Sequence, residues 1–238
     1  MSMFTSRQNL AIILASWEAE RNRASDVAIH STMLNRARVP PFMHPPVITP
    51  EGIVSEEAVG APQVQKEGEL LLQAQILVLG DKTSEGHLVQ AVAIPWASII
   101  KEWDRDPEFI FRLSPRQLEE LIAGAYKEAG CDDVVLTPHS ADKGRDVIVT
   151  ATYPGIGTVK FIDQVKRYAL NHLVTADDVR ALLGVLHRDH GVSKGIVTTT
   201  SGFAPGIYEE LKDFLPTRMQ MKGGDELLAW LRALSADE

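Results

Sequence analysis

Cysteine is almost missing from this chain: Cys131 is the only one in 238 residues. That excludes an intrachain disulfide and a zinc site built on several thiolates, and it fits a reducing compartment. Aromatic residues make up 6% of the chain. No apolar run approaches the roughly 18 residues that a membrane span needs, so no membrane partner is expected. The first ten residues carry no basic stretch ahead of an apolar block, so no secretory leader is read there and the expected location is the cytoplasm. An excess of basic charge is also lacking, with 24 Lys and Arg against 32 Asp and Glu, a net charge of −8. The deficit is spread evenly: 9 basic against 12 acidic residues before Asp106, and 15 against 20 from there on. This argues against a general nucleic-acid coat protein, although a local basic stripe is enough for a narrower contact. A nucleic acid would be held weakly and with strong salt dependence, or on a positive cleft built by a homo-oligomer.

With 45% apolar and 24% charged residues the composition is that of an ordinary globular protein, long enough for one large or two small domains. Residues 4 to 24 place Leu10, Ile13, Leu14 and Trp17 at helical spacing, followed by a charged stretch with Arg21 and Arg23. These two, with Arg36 and Arg38, read as solvated surface. Six prolines between Val39 and Pro62 block regular helix, and His44 among them has no ligating neighbour. Strands are expected over Leu70–Leu79 and His87–Ile94 about a turn at Gly80–Gly86, then a helix over Trp96–Trp103. The charged, proline-containing stretch Asp104–Glu108 suggests a junction. It divides a small N-terminal α+β module, residues 1–105, from a second domain, residues 106–238.

The second domain opens with Ser114-Pro115-Arg116-Gln117, which has an N-cap, proline at the first helical position and a capping-box Gln. The helix buries Leu118, Leu121, Ile122 and Ala125; Glu119 stands at the edge of that stripe and Glu120 toward solvent. A short strand Val134–Leu136 follows. Next come two apolar runs, Asp146-Val147-Ile148-Val149 and Val159 to Tyr168, separated by the turn Pro154-Gly155-Ile156-Gly157. A helix over Thr175–Leu186, a strand over Lys194–Thr200, a helix over Pro205–Phe214 and a last helix over Asp225–Leu234 complete an α/β sandwich with a mixed sheet. His187 and His190, three apart at a helix end, read as cations facing the helix dipole rather than as metal ligands.

The chemistry sits on the hairpin. Gln164 and Lys166 are two apart, so a strand turns both to one face and Val165 to the other. Asp146 begins the partner strand. One carboxylate, one amide carbonyl and an intervening backbone carbonyl suit Mg²⁺, which takes hard oxygen donors and keeps part of its water. A lysine beside them can hold an attacking water and neutralise charge on a phosphate. The same three residues also occur in ordinary sheets.

Gly144-Arg145-Asp146 followed by Gln164-Val165-Lys166-Arg167-Tyr168 resembles the PD-(D/E)xK nucleases, and within them the Mrr-like restriction endonucleases, in which Gln replaces the second acid. Leu118-Glu119, Val179–Leu186 and Gly195–Phe203 are similar to the remaining family signatures in the same order, so the resemblance covers residues 113 to about 228. It implies a restriction-endonuclease-like α/β/α sandwich with a central mixed sheet. It also implies DNA phosphodiester hydrolysis in defence against foreign or modified DNA. Asp146, Gln164 and the Val165 carbonyl would hold Mg²⁺, with Mn²⁺ able to substitute; Glu119 would join them, and Lys166 would activate water. Asp142 takes the acidic loop position before the catalytic Asp and is expected to support the turn. Arg145 and Arg167 are assigned to DNA, as are the hydroxyls of Thr200 and Ser201, which could equally cap a helix start. Residues 1–105 are expected to read DNA, to oligomerise or to dock a sensor or activator protein. Other substrates, branched DNA or RNA, and a catalytically silent binding module stay open.

Overall fold

The computed structural model describes residues 68, 70–93, 96–138, 144–153, 157–215 and 217–235. The expected helix over 4–24, Arg36, Arg38, the proline-rich stretch with His44, Asp142 and the turn residues Pro154, Gly155 and Ile156 lie outside them. The elements are β1 (Leu77–Lys82), β2 (His87–Val92), α1 (Trp96–Arg105), α2 (Phe109–Arg112), α3 (Pro115–Glu128), β3 (Asp133–Leu136), β4 (Val147–Tyr153), β5 (Gly157–Lys166), α4 (Ala176–Arg188), β6 (Lys194–Thr199), α5 (Ile207–Leu211), β7 (Met219–Lys222) and α6 (Gly224–Ser235). The seven strands form one sheet in chain order.

Connection length sets the strand directions. β4 and β5 are separated by three residues in the sequence and pair antiparallel along their length, from Val147 opposite Asp163 to Tyr153 opposite Gly157. β6 and β7 lie parallel to the strands before them, and α4 and α5 supply the crossovers that parallel pairing demands. The result is a mixed sheet, α/β in class.

Alternation along the central strands sorts side chains into two cores. Val147, Val149 and Phe161 join Leu118, Leu121 and Tyr126 of α3 and Trp230 of α6 in one cluster. Ile148 and Ile162 join Val179, Leu182 and Leu186 of α4 and Ile207 of α5 in the other. Helices therefore cover both faces, with Gln164 on the α4 side and Asp163 on the α3 side. At Gly195 of β6 an added Cβ would stand 2.9 Å from Leu186 Cδ1, so the glycine is what lets α4 come this close. Among the described residues no helix is long and apolar enough to cross a membrane.

The α3 start forms as its sequence predicts. The Ser114 hydroxyl accepts from the Gln117 N–H at 3.2 Å, and the Gln117 side chain accepts from the Ser114 N–H at 2.9 Å. Several elements differ from expectation. Leu70 to Gln73 are helical and the strand begins only at Leu77. The Gln117 side chain, donating to the Leu72 carbonyl at 2.5 Å, fixes the chain there. Gly80 to Lys82, expected as turn, belong to β1; the turn is tightened to Thr83–Gly86 because the Thr83 hydroxyl accepts from the Glu85 and Gly86 N–H groups. The helix expected over Pro205–Phe214 is only Ile207–Leu211, and β7 and α2 were not anticipated. The junction expected at residues 105 and 106 falls between packed elements. β2 pairs with β3, and Ile76, Leu77, Val89, Ile99, Ile100 and Trp103 lie in the same core as α3.

Candidate active site

Asp146 is set by the ladder it enters. Its N–H donates to the Asp163 carbonyl at 3.1 Å, one step beyond the Val147–Asp163 pair, which puts Asp146 opposite Gln164. Thr137 fixes the same stretch: its hydroxyl donates to the Arg145 carbonyl at 2.5 Å and its N–H to the Asp146 carbonyl at 3.1 Å. The Asp146 carboxylate, 7% exposed, then accepts from the Val165 N–H at 2.7 Å. Carboxylate, amide side chain and the Val165 peptide are thus gathered across two neighbouring strands.

Gln164 is buried as well, and its Oε1 has no hydrogen-bond partner. Gly144, with φ at +77°, packs over the amide; an added Cβ would stand 3.4 Å from Gln164 Nε2, so both backbone conformation and space favour glycine here. Lys166, on the same face and half-buried, places Nζ 3.9 Å from Asp178 Oδ1. Asp178 closes the α4 capping box by accepting from the Thr175 N–H at 3.0 Å and hydroxyl at 2.9 Å, and it accepts from the Tyr168 hydroxyl at 3.3 Å. Burial pushes the Asp178 carboxyl up, but the Thr175 bonds, Lys166 and Tyr168 outweigh it and hold the group below its ordinary value.

Glu119 reaches inward from α3, 6% exposed, and pairs with Arg116 at 2.9 Å. The same Arg116 Nη1 donates to the Thr137 carbonyl at 2.8 Å. Glu119 is therefore linked to Asp146 through Arg116 and Thr137, two residues that sequence reasoning missed because their ties are long-range. All four residues assigned to DNA have internal partners. Arg167 Nη1 donates to the Phe111 carbonyl at 3.0 Å. The Thr200 hydroxyl donates to the Tyr168 carbonyl at 2.6 Å and accepts from its N–H at 2.9 Å, while Ser201 Oγ lies 3.1 Å from Thr199 Oγ1. Arg145 Nη1 stands 3.4 Å from Glu85 and 3.6 Å from Asp189.

Among the described residues no three His, Cys, Asp or Glu side chains are grouped so that they could hold a metal ion. A cation beside Asp146 would need a mixed donor set. The orphaned Gln164 Oε1 next to an anchored carboxylate fits a hard divalent ion.

The restriction endonuclease family model Mrr_cat matches residues 110–231. An uncharacterized protein of Sinorhizobium fredii (strain NBRC 101917 / NGR234), y4cE, is 27% identical over 122 residues, which are 51% of this chain and 30% of that protein. Among solved structures, MspJI restriction endonuclease in complex with a 27-mer oligonucleotide aligns over 60% of this chain and 34% of its own, at 18% identity and a TM-score of 0.39. AspBHI, a DNA modification-dependent restriction endonuclease, aligns over 69% and 45% respectively, at 18% identity and a TM-score of 0.40. The matched region is less than half the length of each of these proteins. Through residues 110–231, just over half of its length, the chain belongs to the Mrr_cat restriction endonuclease family.

Proposed function

We propose that the chain is a divalent-cation-dependent endonuclease that hydrolyses DNA phosphodiester bonds, acting in restriction of foreign or modified DNA. The observation that carries this reading is the buried, unpartnered Gln164 Oε1 facing the strand position of Asp146, with Lys166 on the same face. Asp146, Gln164 Oε1 and the Val165 carbonyl would hold Mg²⁺, or Mn²⁺ in its place. When bound, such a cation neutralises phosphate charge and makes water a better nucleophile at neutral pH. The chain's own residues do the rest. The Val165 N–H and the backbone bonds around Thr137 keep the Asp146 carboxylate in place. Lys166 sets its amine at the mouth of the site, where it orients the attacking water and offsets charge gathering on the phosphate. Gln in place of an acid removes one negative charge, so the site is expected to need more metal than a two-carboxylate site. DNA is the proposed partner, with a homo-oligomer supplying the positive cleft that the net charge of −8 lacks. Residues 1–105 would read DNA, join subunits or receive an activator.

A silent DNA-binding module is the second reading, favoured by Arg116, which neutralises the Glu119 carboxylate. Plasmid cleavage at low salt with Mg²⁺ or Mn²⁺ separates the two. The nuclease nicks or linearises the plasmid, and Asp146→Ala and Lys166→Ala each slow this by about 100-fold or more. Retained DNA binding with no cleavage in either metal points to the silent module.

A further inference from the structure

Beside the Asp146–Gln164–Lys166 cluster lies a cavity of about 540 Å³ lined by Arg145, Val185, Arg188, Asp189 and His190. The two are neighbours through Gly144: an added Cβ there would stand 3.4 Å from Gln164 Nε2 and 3.8 Å from Val185 Cγ2, which lines the cavity. In a chain with net charge −8, the described lining sets two arginines against one carboxylate, Asp189, a local reversal of sign. Nearby carboxylates do not saturate these donors. Arg145 stands 3.4 Å from Glu85 and 3.6 Å from Asp189, and its buried Nε has no hydrogen-bond partner. Among the described residues, the exposed side chains of Arg188 and His190 form no hydrogen bond or ion pair. By contrast Arg180, on the same helix, is paired with both Asp177 and Glu210.

We infer that this cavity seats a backbone phosphate of the DNA strand, adjacent to the one that is cut, with Arg145 and Arg188 as its donors. Two planar guanidiniums on one cavity suit a phosphate, and the apolar Val185 wall suits the sugar beside it. The inference rests on the nuclease reading above, and it names a contact that the cluster alone does not supply. A phosphate neutralised here releases counterions, so Arg188 should leave its mark on the salt dependence of binding, equally for every sequence.

The test uses the full chain and a fluorescent duplex in metal-free buffer, so that cleavage plays no part, with anisotropy read across a NaCl series. Arg188→Ala is expected to weaken binding about threefold to tenfold and to lower the slope of log affinity against log salt by about 1. Arg180→Ala, which removes a paired charge from the same helix, leaves both unchanged. Equal curves for wild type and Arg188→Ala overturn the inference, as does an equal loss in both variants, which would be a bulk charge effect. If wild-type protein is stabilised against heat by inorganic phosphate while Arg188→Ala binds DNA normally, the cavity takes a free anion and the DNA assignment fails. Wild type that binds no duplex at any salt defeats the nucleic-acid reading itself, which the cleavage assay reports separately.

Discussion

Asp163 is a carboxylate with no surface exposure, one residue before the Gln164 of the site and on the opposite face of β5. Its Oδ2 accepts from the Tyr126 hydroxyl at 2.7 Å and the Thr198 hydroxyl at 2.8 Å, while Oδ1 has no partner. Nearby, Lys222 Nζ sits 3.6 Å above the Trp230 ring. Burial pushes the Asp163 carboxyl up to about 6, against the pull of Lys222 and the two hydroxyls. A folded-state value above the ordinary 3.8 means that folding favours the protonated form. The contribution to stability is full below about pH 4 and is lost as pH rises through about 6. Two units correspond to roughly 3 kcal/mol. Asp163→Asn should therefore flatten this part of the stability profile, seen as a urea midpoint that falls less between pH 4 and pH 6 than in wild type. Parallel profiles for the two proteins would sink the assignment. Nothing in the sequence singles out Asp163, because its partners lie 35 and 37 positions away on β6 and α3.

Helix α3 carries both Glu119, tied to the Asp146 backbone through Arg116 and Thr137, and Tyr126, which donates to Asp163. These are seven residues apart and so share a face, which makes the seating of α3 matter for both. Its first turn depends on the Ser114–Gln117 box, and Gln117 also donates to the Leu72 carbonyl. Ser114→Ala should cost about 1 kcal/mol. Gln117→Ala should cost more, since two carbonyl or N–H groups lose their partner. Chemical denaturation of both variants checks the order, and a Ser114→Ala cost equal to or above that of Gln117→Ala would contradict it. This helix was legible in the sequence because its signals are local: cap, proline and a four-residue apolar stripe. That Gln164 and Lys166 share a face was legible for the same reason, since a period of two fixes it, whereas the register that sets Asp146 opposite Gln164 comes from the fold. Other elements depend on distant partners. Leu70–Leu72 is an apolar run too short for its period to decide, and contact with Gln117 makes it helical. The four residues of β7 are a strand because β6 offers them a parallel edge. In the site, Arg116, Thr137, Tyr168 and Asp178 were missed, because each acts through a contact that only the fold creates.

At the scale of the molecule, the question is whether residues 106–238 stand alone. The described residues before Asp106 contribute β1, β2 and α1, and six of their apolar side chains, Ile76, Leu77, Val89, Ile99, Ile100 and Trp103, are buried in the core that also holds α3. Burying each is worth about 1.5–3 kcal/mol, so the set contributes on the order of 10 kcal/mol, comparable with the whole net stability of a domain. Their loss would also leave β3 as a sheet edge and uncover part of α3, since β2 lies between β3 and β1. The family match begins at residue 110, while the buried core continues through residues before it. A fragment of residues 106–238 is therefore expected to lack a cooperative thermal transition and to bind a hydrophobic dye at 25 °C, while the full chain melts sharply. A fragment that melts in one steep step without binding dye would show that the hairpin and α1 are additions to a self-sufficient domain. The candidate site would then have to be judged on residues 106–238 alone.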